Sequence, residues 1–221
     1  MRHSRLRFAR RRRARLLLVA CALATSGCAS PLAWLLGGLG GVEGEIRIRG
    51  RRESVEKLGP VVVYLRPHAS GPQGEGTLTL FDDRAGEPGH ELVVITRGQS
   101  LRFVSRSGVA HRLFALRGEE RLDVGVPENG ESRAVPMERA GWIRFYCSLH
   151  QDENWDVFVS PSPHFARLGP DGRYRIVHLP RGDYELSIWS AAIDGPVRPV
   201  TVGFWTSTLE PIWLDPAKLR P

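Results

Sequence analysis

The chain has 221 residues and a formal net charge of +7, from 31 Lys and Arg against 24 Asp and Glu. Eight arginines fall in the first fifteen residues and no acidic residue precedes Glu43, so the chain beyond residue 15 carries 23 basic and 24 acidic residues. The positive charge therefore belongs to a leader, which excludes a nucleic-acid-binding surface as its source, and three cysteines are too few for a disulfide scaffold.

Residues 1–15 read as an arginine-rich n-region, followed by an apolar stretch at 16–24 (LLLVACALA). Nine residues are too few to span a bilayer and suit a signal h-region. The stretch runs into Ala24-Thr25-Ser26-Gly27-Cys28, which resembles a bacterial lipoprotein cleavage site with Thr25 where leucine is usual. The expectation is a signal peptide over 1–27, acylation of Cys28, and a lipid-anchored tether over 28–41. Ordinary cleavage, or retention of the segment as an anchor, is the alternative. Either way the chain is expected to be exported to the periplasm or another extracytoplasmic site. With Cys28 acylated, Cys147 remains as a lone thiol, and an exported protein that keeps a free thiol needs a reason for it.

Beyond the tether, helical periodicity is almost absent. Residues 42–49 (VEGEIRIR) alternate apolar and polar, and 61–65 (VVVYL) form a continuous apolar run between prolines. Further short runs follow at 78–81, 91–95, 100–105, 111–116, 131–137, 142–147, 157–160, 173–178, 184–189 and 197–202. Gly, Pro, Asp and Asn punctuate them, and such spacing predicts an all-β sandwich or barrel architecture. Residues 70–76 (SGPQGEG) and 160–163 (SPSP) read as linkers. Asp171-Gly172 predicts a hairpin turn, and 180–183 another turn. Residues 206–221 read as a C-terminal tail, packed in part through Trp213 and Leu214.

The chemistry concentrates in residues 142–159 (WIRFYCSLHQDENWDVFV). A strand delivers Cys147, a short loop carries His150, and a second strand leaves. Upstream, His111 stands at the exit of a loop between two strands. Four segments, Val62-Val63-Tyr64-Leu65, 98–103 (GQSLRF), 111–114 (HRLF) and 147–153 (CSLHQDE), together resemble the cupredoxins, and most closely the exported plastocyanin-like proteins of methylamine-utilisation type. The likeness continues through 162–166 (SPHFA), 171–176 (DGRYRI) and 179–189 (LPRGDYELSIW), whose strands resemble a carboxypeptidase-regulatory-like or prealbumin-like sandwich.

The resemblance implies a Greek-key β-sandwich with a metal centre held by His111, Cys147 and His150. A thiolate and two neutral imidazoles suit copper in both oxidation states. Three positions depart from the family pattern. Glu153 stands where the axial methionine is usual, Arg112 replaces an asparagine, and Gln151 replaces a proline. A carboxylate from Glu153 is a harder donor that would favour oxidised copper, as a type 1 or an atypical centre, and would also suit zinc. The alternative is that Glu153 is a solvated loop residue. Trp142, Tyr146 and Trp189 read as sandwich aromatics, Trp155 and Phe158 as flanks of the site, and His178 as a residue of a strand face. A cysteine nucleophile paired with His150 lacks a third orienting group in the sequence.

The organisation expected is a small flanking sandwich from 42–70 and 161–205, with a cupredoxin-like unit at 71–160 inserted in it. One enlarged sandwich is the competing arrangement. The expected function is that of a membrane-tethered copper protein, not itself an enzyme, that passes single electrons between redox partner proteins. Copper or zinc delivery or storage without redox turnover is a second possibility, and a metal-free adaptor at the envelope a third.

Overall fold

The computed structural model describes residues 39–49, 55–68, 73–81, 92–118, 120–128, 130–193 and 195–215. The signal segment, Cys28 and the tether up to residue 38 lie outside them. The described residues hold sixteen strands and no α-helix. In chain order these are β1 (Gly40–Ile48), β2 (Val61–Pro67), β3 (Thr77–Phe81), β4 (Val93–Thr96), β5 (Ser100–Val104), β6 (His111–Arg117), β7 (Glu120–Val126) and β8 (Val135–Pro136). They continue with β9 (Gly141–Cys147), β10 (Asn154–Ser160), β11 (Phe165–Arg167), β12 (Arg173–Leu179), β13 (Gly182–Ser190), β14 (Arg198–Val202), β15 (Thr206–Thr208) and β16 (Ile212–Leu214).

Strands β3 to β10 make two facing sheets, ordered β4-β10-β9-β6-β7 and β3-β5-β8. The chain crosses between them at β3, β4 and β5, and again at β7, β8 and β9. This leaves β3 parallel to β5 and β4 parallel to β10. Repeated crossing of this kind is a Greek-key, cupredoxin-like connection. Strict alternation builds the core between the sheets: in β6 His111, Leu113 and Ala115 point inward, and in β9 Ile143, Phe145 and Cys147 do. They pack with Leu101, Phe103, Met137, Trp155 and Val157.

The remaining strands form a second pair of sheets, ordered β12-β1-β15 and β11-β2-β13-β14, with β16 also on β1. Their core includes Val42, Ile46, Val63, Leu65, Ile176, Leu186 and Leu214. A third apolar cluster joins the two sandwiches. Phe158 of β10 is 2 % exposed and stacks on Trp189 of β13 with centroids 4.5 Å apart, beside Val62 and Leu92.

Several sequence-based expectations change in detail. The turn at Asp171-Gly172 is present, with Gly172 at φ +77°, but it joins β11 to β12, which lie in different sheets. It is an arch rather than a hairpin, as is the turn from β12 to β13. The segment 160–163 is packed rather than a free linker: the Ser160 hydroxyl donates to the Ser162 carbonyl at 2.6 Å, and both serines are buried. Residues 206–214 are not a loose tail, because β15 and β16 pair in parallel with successive stretches of β1. Trp213 faces solvent there, while Ile212 and Leu214 supply the packing.

Candidate metal centre

The four residues singled out around the Cys147 loop come together at one end of the β3–β10 sandwich. Cys147 closes β9 and His111 opens β6, so the antiparallel pairing of β6 with β9 brings them side by side: Leu113 is the register partner of Cys147. His150 and Glu153 lie on the six-residue connection from β9 to β10. That connection is closed by backbone hydrogen bonds, Cys147 N–H to the Glu153 carbonyl at 3.1 Å and Glu153 N–H to the His150 carbonyl at 3.2 Å. It is braced from β6 as well. Ser148 donates its backbone N–H at 2.9 Å and its hydroxyl at 3.2 Å to the carbonyl of Arg112. Arg112 thus braces the cysteine loop through its backbone carbonyl.

The donor atoms converge. His111 Nδ1 and His150 Nδ1 are 3.3 Å apart. Cys147 Sγ lies 3.5 Å from His150 Nδ1 and 3.8 Å from His111 Nδ1. Glu153 Oε2 lies 2.9 Å from His111 Nδ1 and 3.2 Å from His150 Nδ1. All four atoms fall within 4.8 Å of one another, and theirs is the one such grouping of His, Cys, Asp and Glu among the described residues.

Most of these separations are compatible with a shared cation. A tetrahedral cation about 2.0 Å from nitrogen or oxygen and about 2.3 Å from sulfur needs N···N and N···O separations of about 3.3 Å and N···S separations of about 3.5 Å. Glu153 Oε2 is buried and makes no hydrogen bond, although the Nδ1 atoms of His111 and His150 lie 2.9 and 3.2 Å from it. The same Nδ1 of each imidazole faces both the thiol and the carboxylate. A nucleophile–base–carboxylate relay needs opposite ring nitrogens for those two partners, so the arrangement is not such a triad.

The site is closed on the core side and open on the other. His111 and Cys147 are 5 % and 4 % exposed, and Trp155 stands edge-on to His111 with centroids 6.2 Å apart. The His150 side chain keeps 33 % of its surface exposed. Neighbouring Leu149 is exposed as well. Trp155 and Phe158 are therefore core and interface residues, not a rim. Trp142 and Tyr146 are half exposed on the outer face of β9, as its alternation requires once Cys147 points in. Met137 cannot complete the site. Its backbone pairs with Gly98 and Gln99 at the start of β5, while His111 follows the loop that leaves the other end of that strand. His178 lies on the flanking sandwich, at the end of β12.

No protein-family model and no curated protein matches the chain. Among solved structures, a methionine-to-glutamine variant of amicyanin with Cu(I) matches at 13 % identity and a TM-score of 0.34, covering 44 % of this chain and 99 % of that one. A methionine-to-alanine variant of amicyanin in its Cu(I) form matches at 14 % identity and a TM-score of 0.34, with 44 % and 99 % covered. A second methionine-to-alanine variant with Cu(I) matches at 15 % identity and a TM-score of 0.34, with 44 % and 98 % covered.

Proposed function

We propose that this chain is an exported copper-binding protein that carries single electrons, with His111, Cys147, His150 and Glu153 as the ligands. What supports this most directly is the convergence of four potential donor atoms within 4.8 Å of one another, with Glu153 Oε2 buried and without a hydrogen bond. Copper, when bound, supplies a one-electron couple between its +1 and +2 states. The chain's residues do the rest. The Ser148 brace and the closed 147–153 loop hold the donors in place, which keeps reorganisation small. Trp155, Leu113 and Phe103 keep water from the inner side. The partly exposed His150 imidazole offers the shortest route between the ligands and a redox partner protein.

A second reading, copper or zinc held without redox turnover, draws on Glu153. A carboxylate this close to both imidazoles makes a closed four-donor set that zinc accepts.

Titration of the chain with Cu(II) and Zn(II), followed by absorption and electron paramagnetic resonance, separates the two. The carrier reading expects one copper per chain, a thiolate-to-copper band, and a reversible midpoint potential. Cys147→Ala and His150→Ala should abolish the band and His178→Ala should leave it. Stoichiometric zinc or copper without reversible colour favours the holding function. No stoichiometric metal, or equal loss in all three variants, overturns the site.

A further inference from the structure

Among the described residues, three of the exposed large apolar side chains lie at one corner of the flanking sandwich. Trp205 is 84 % exposed and Phe204 55 %, in the turn from β14 to β15, and Leu39, just before β1, is 48 % exposed. Backbone contacts place the three together. Gly40 sits so close to Gly203 that a Cβ at residue 40 would stand 2.2 Å from the Gly203 carbonyl oxygen. Gly41 is the register partner of Thr206, the residue after Trp205. The Arg181 guanidinium lies 4.0 Å from the centroid of the Phe204 ring.

This corner is where the chain leads back toward its leader. Ten residues separate Cys28 from Leu39, a reach of at most about 35 Å. The metal centre lies at the Asn154 end of β10, whereas the chain passes back to the flanking sandwich from the Ser160 end. An attachment at Cys28 would therefore tether the folded part at the Trp205 corner and not at the metal centre. Aromatic side chains with an apolar body and a polar edge favour the membrane–water boundary, and an arginine among them attracts anionic headgroups.

We infer that Leu39, Phe204, Trp205 and Arg181 form a membrane-contact patch that seats in the headgroup region of a lipid bilayer. The inference rests on the exported, anchored reading of the leader and is independent of the metal.

The test uses the full chain with vesicles of phosphatidylcholine and phosphatidylglycerol that contain a dibrominated lipid. The chain should float with the vesicles, and its tryptophan emission should be quenched. Trp205→Phe should remove a large share of the quenched emission. Trp213→Phe, exposed at the other end of β1, should remove none. A chain that floats while Trp205→Phe leaves the quenched emission unchanged overturns the patch and spares the anchor. A chain that does not float overturns both. Copper uptake in the same samples reports on the metal reading separately.

Discussion

On the proposed reading, Glu153 would differ from its three neighbours in what it does to a bound copper. Its carboxylate is the one hard, charged oxygen in a set of softer donors, and hard donors favour the higher oxidation state. Glu153→Gln is therefore expected to raise the midpoint potential in a redox titration while the thiolate band persists. An unchanged potential would mean that the carboxylate does not ligate. The grouping of His111, Cys147 and His150 was legible in the sequence through the cupredoxin resemblance, because strand ends and a three-residue spacing leave such side chains little freedom. The Ser148 hydrogen bonds to Arg112 were not, because a backbone carbonyl carries no sequence signal. Nor was the inward turn of Trp155, which depends on which face of β10 meets the core. Another residue-scale consequence lies in the flanking sandwich. The Tyr174 hydroxyl is buried without a hydrogen-bond partner, and burial pushes its pKa up to about 12 from 10.0. The folded state resists ionisation that the unfolded chain accepts, so stability should fall as pH rises from 10 toward 12. Denaturation midpoints at pH 9 and pH 11 should differ less in Tyr174→Phe than in the parent chain.

Among the elements, β12 carries the clearest local strain. Its register against β1 shifts between Gly40 and Gly41, with Leu179 and Val177 as partners, and His178 is left over at φ +58°. This is a bulge with a histidine in the left-handed region, a conformation that costs a residue with a Cβ roughly 1–2 kcal/mol. Part of that gain is offset by the freedom glycine adds to the unfolded chain. His178→Gly should thus stabilise the fold by about 0.5–1 kcal/mol in urea denaturation, and should leave metal uptake unchanged. The alternating runs that marked the strands were readable because a two-residue period needs no tertiary information. Their partners were not: the turn chemistry of Asp171-Gly172 is the same whether the chain folds back within a sheet or arches to the facing one.

For the molecule as a whole, the residues that join the sandwiches matter more than either linker. Phe158 stacks on Trp189 and tilts against Tyr64, with centroids 5.7 Å apart in the second pair. Arg167 adds a hydrogen bond to the carbonyl of Leu92 across the same junction. Phe158→Ala should cost about 3–5 kcal/mol, read as a lowered denaturation midpoint. Copper uptake at temperatures below that midpoint should persist, since Glu153, the nearest of the proposed ligands in sequence, is five residues or about 17 Å along the strand from residue 158. That junction was hidden in the sequence because Phe158 sits in a run, Val157 to Val159, buried on both faces. Such a run reads as core without saying which core.

The position of β1 also sets an order of assembly. It is the first described strand, yet it runs between β12 on one side and β15 and β16 on the other. Its last partners are Ile212, Trp213 and Leu214. Strands β3 to β10, by contrast, pair only among themselves. Loop closure between distant residues is slow compared with local pairing. A chain made from its N-terminus can therefore complete the β3–β10 sandwich while β1 still has an open edge, and only the arrival of β15 and β16 seals the edge that β1 leaves exposed.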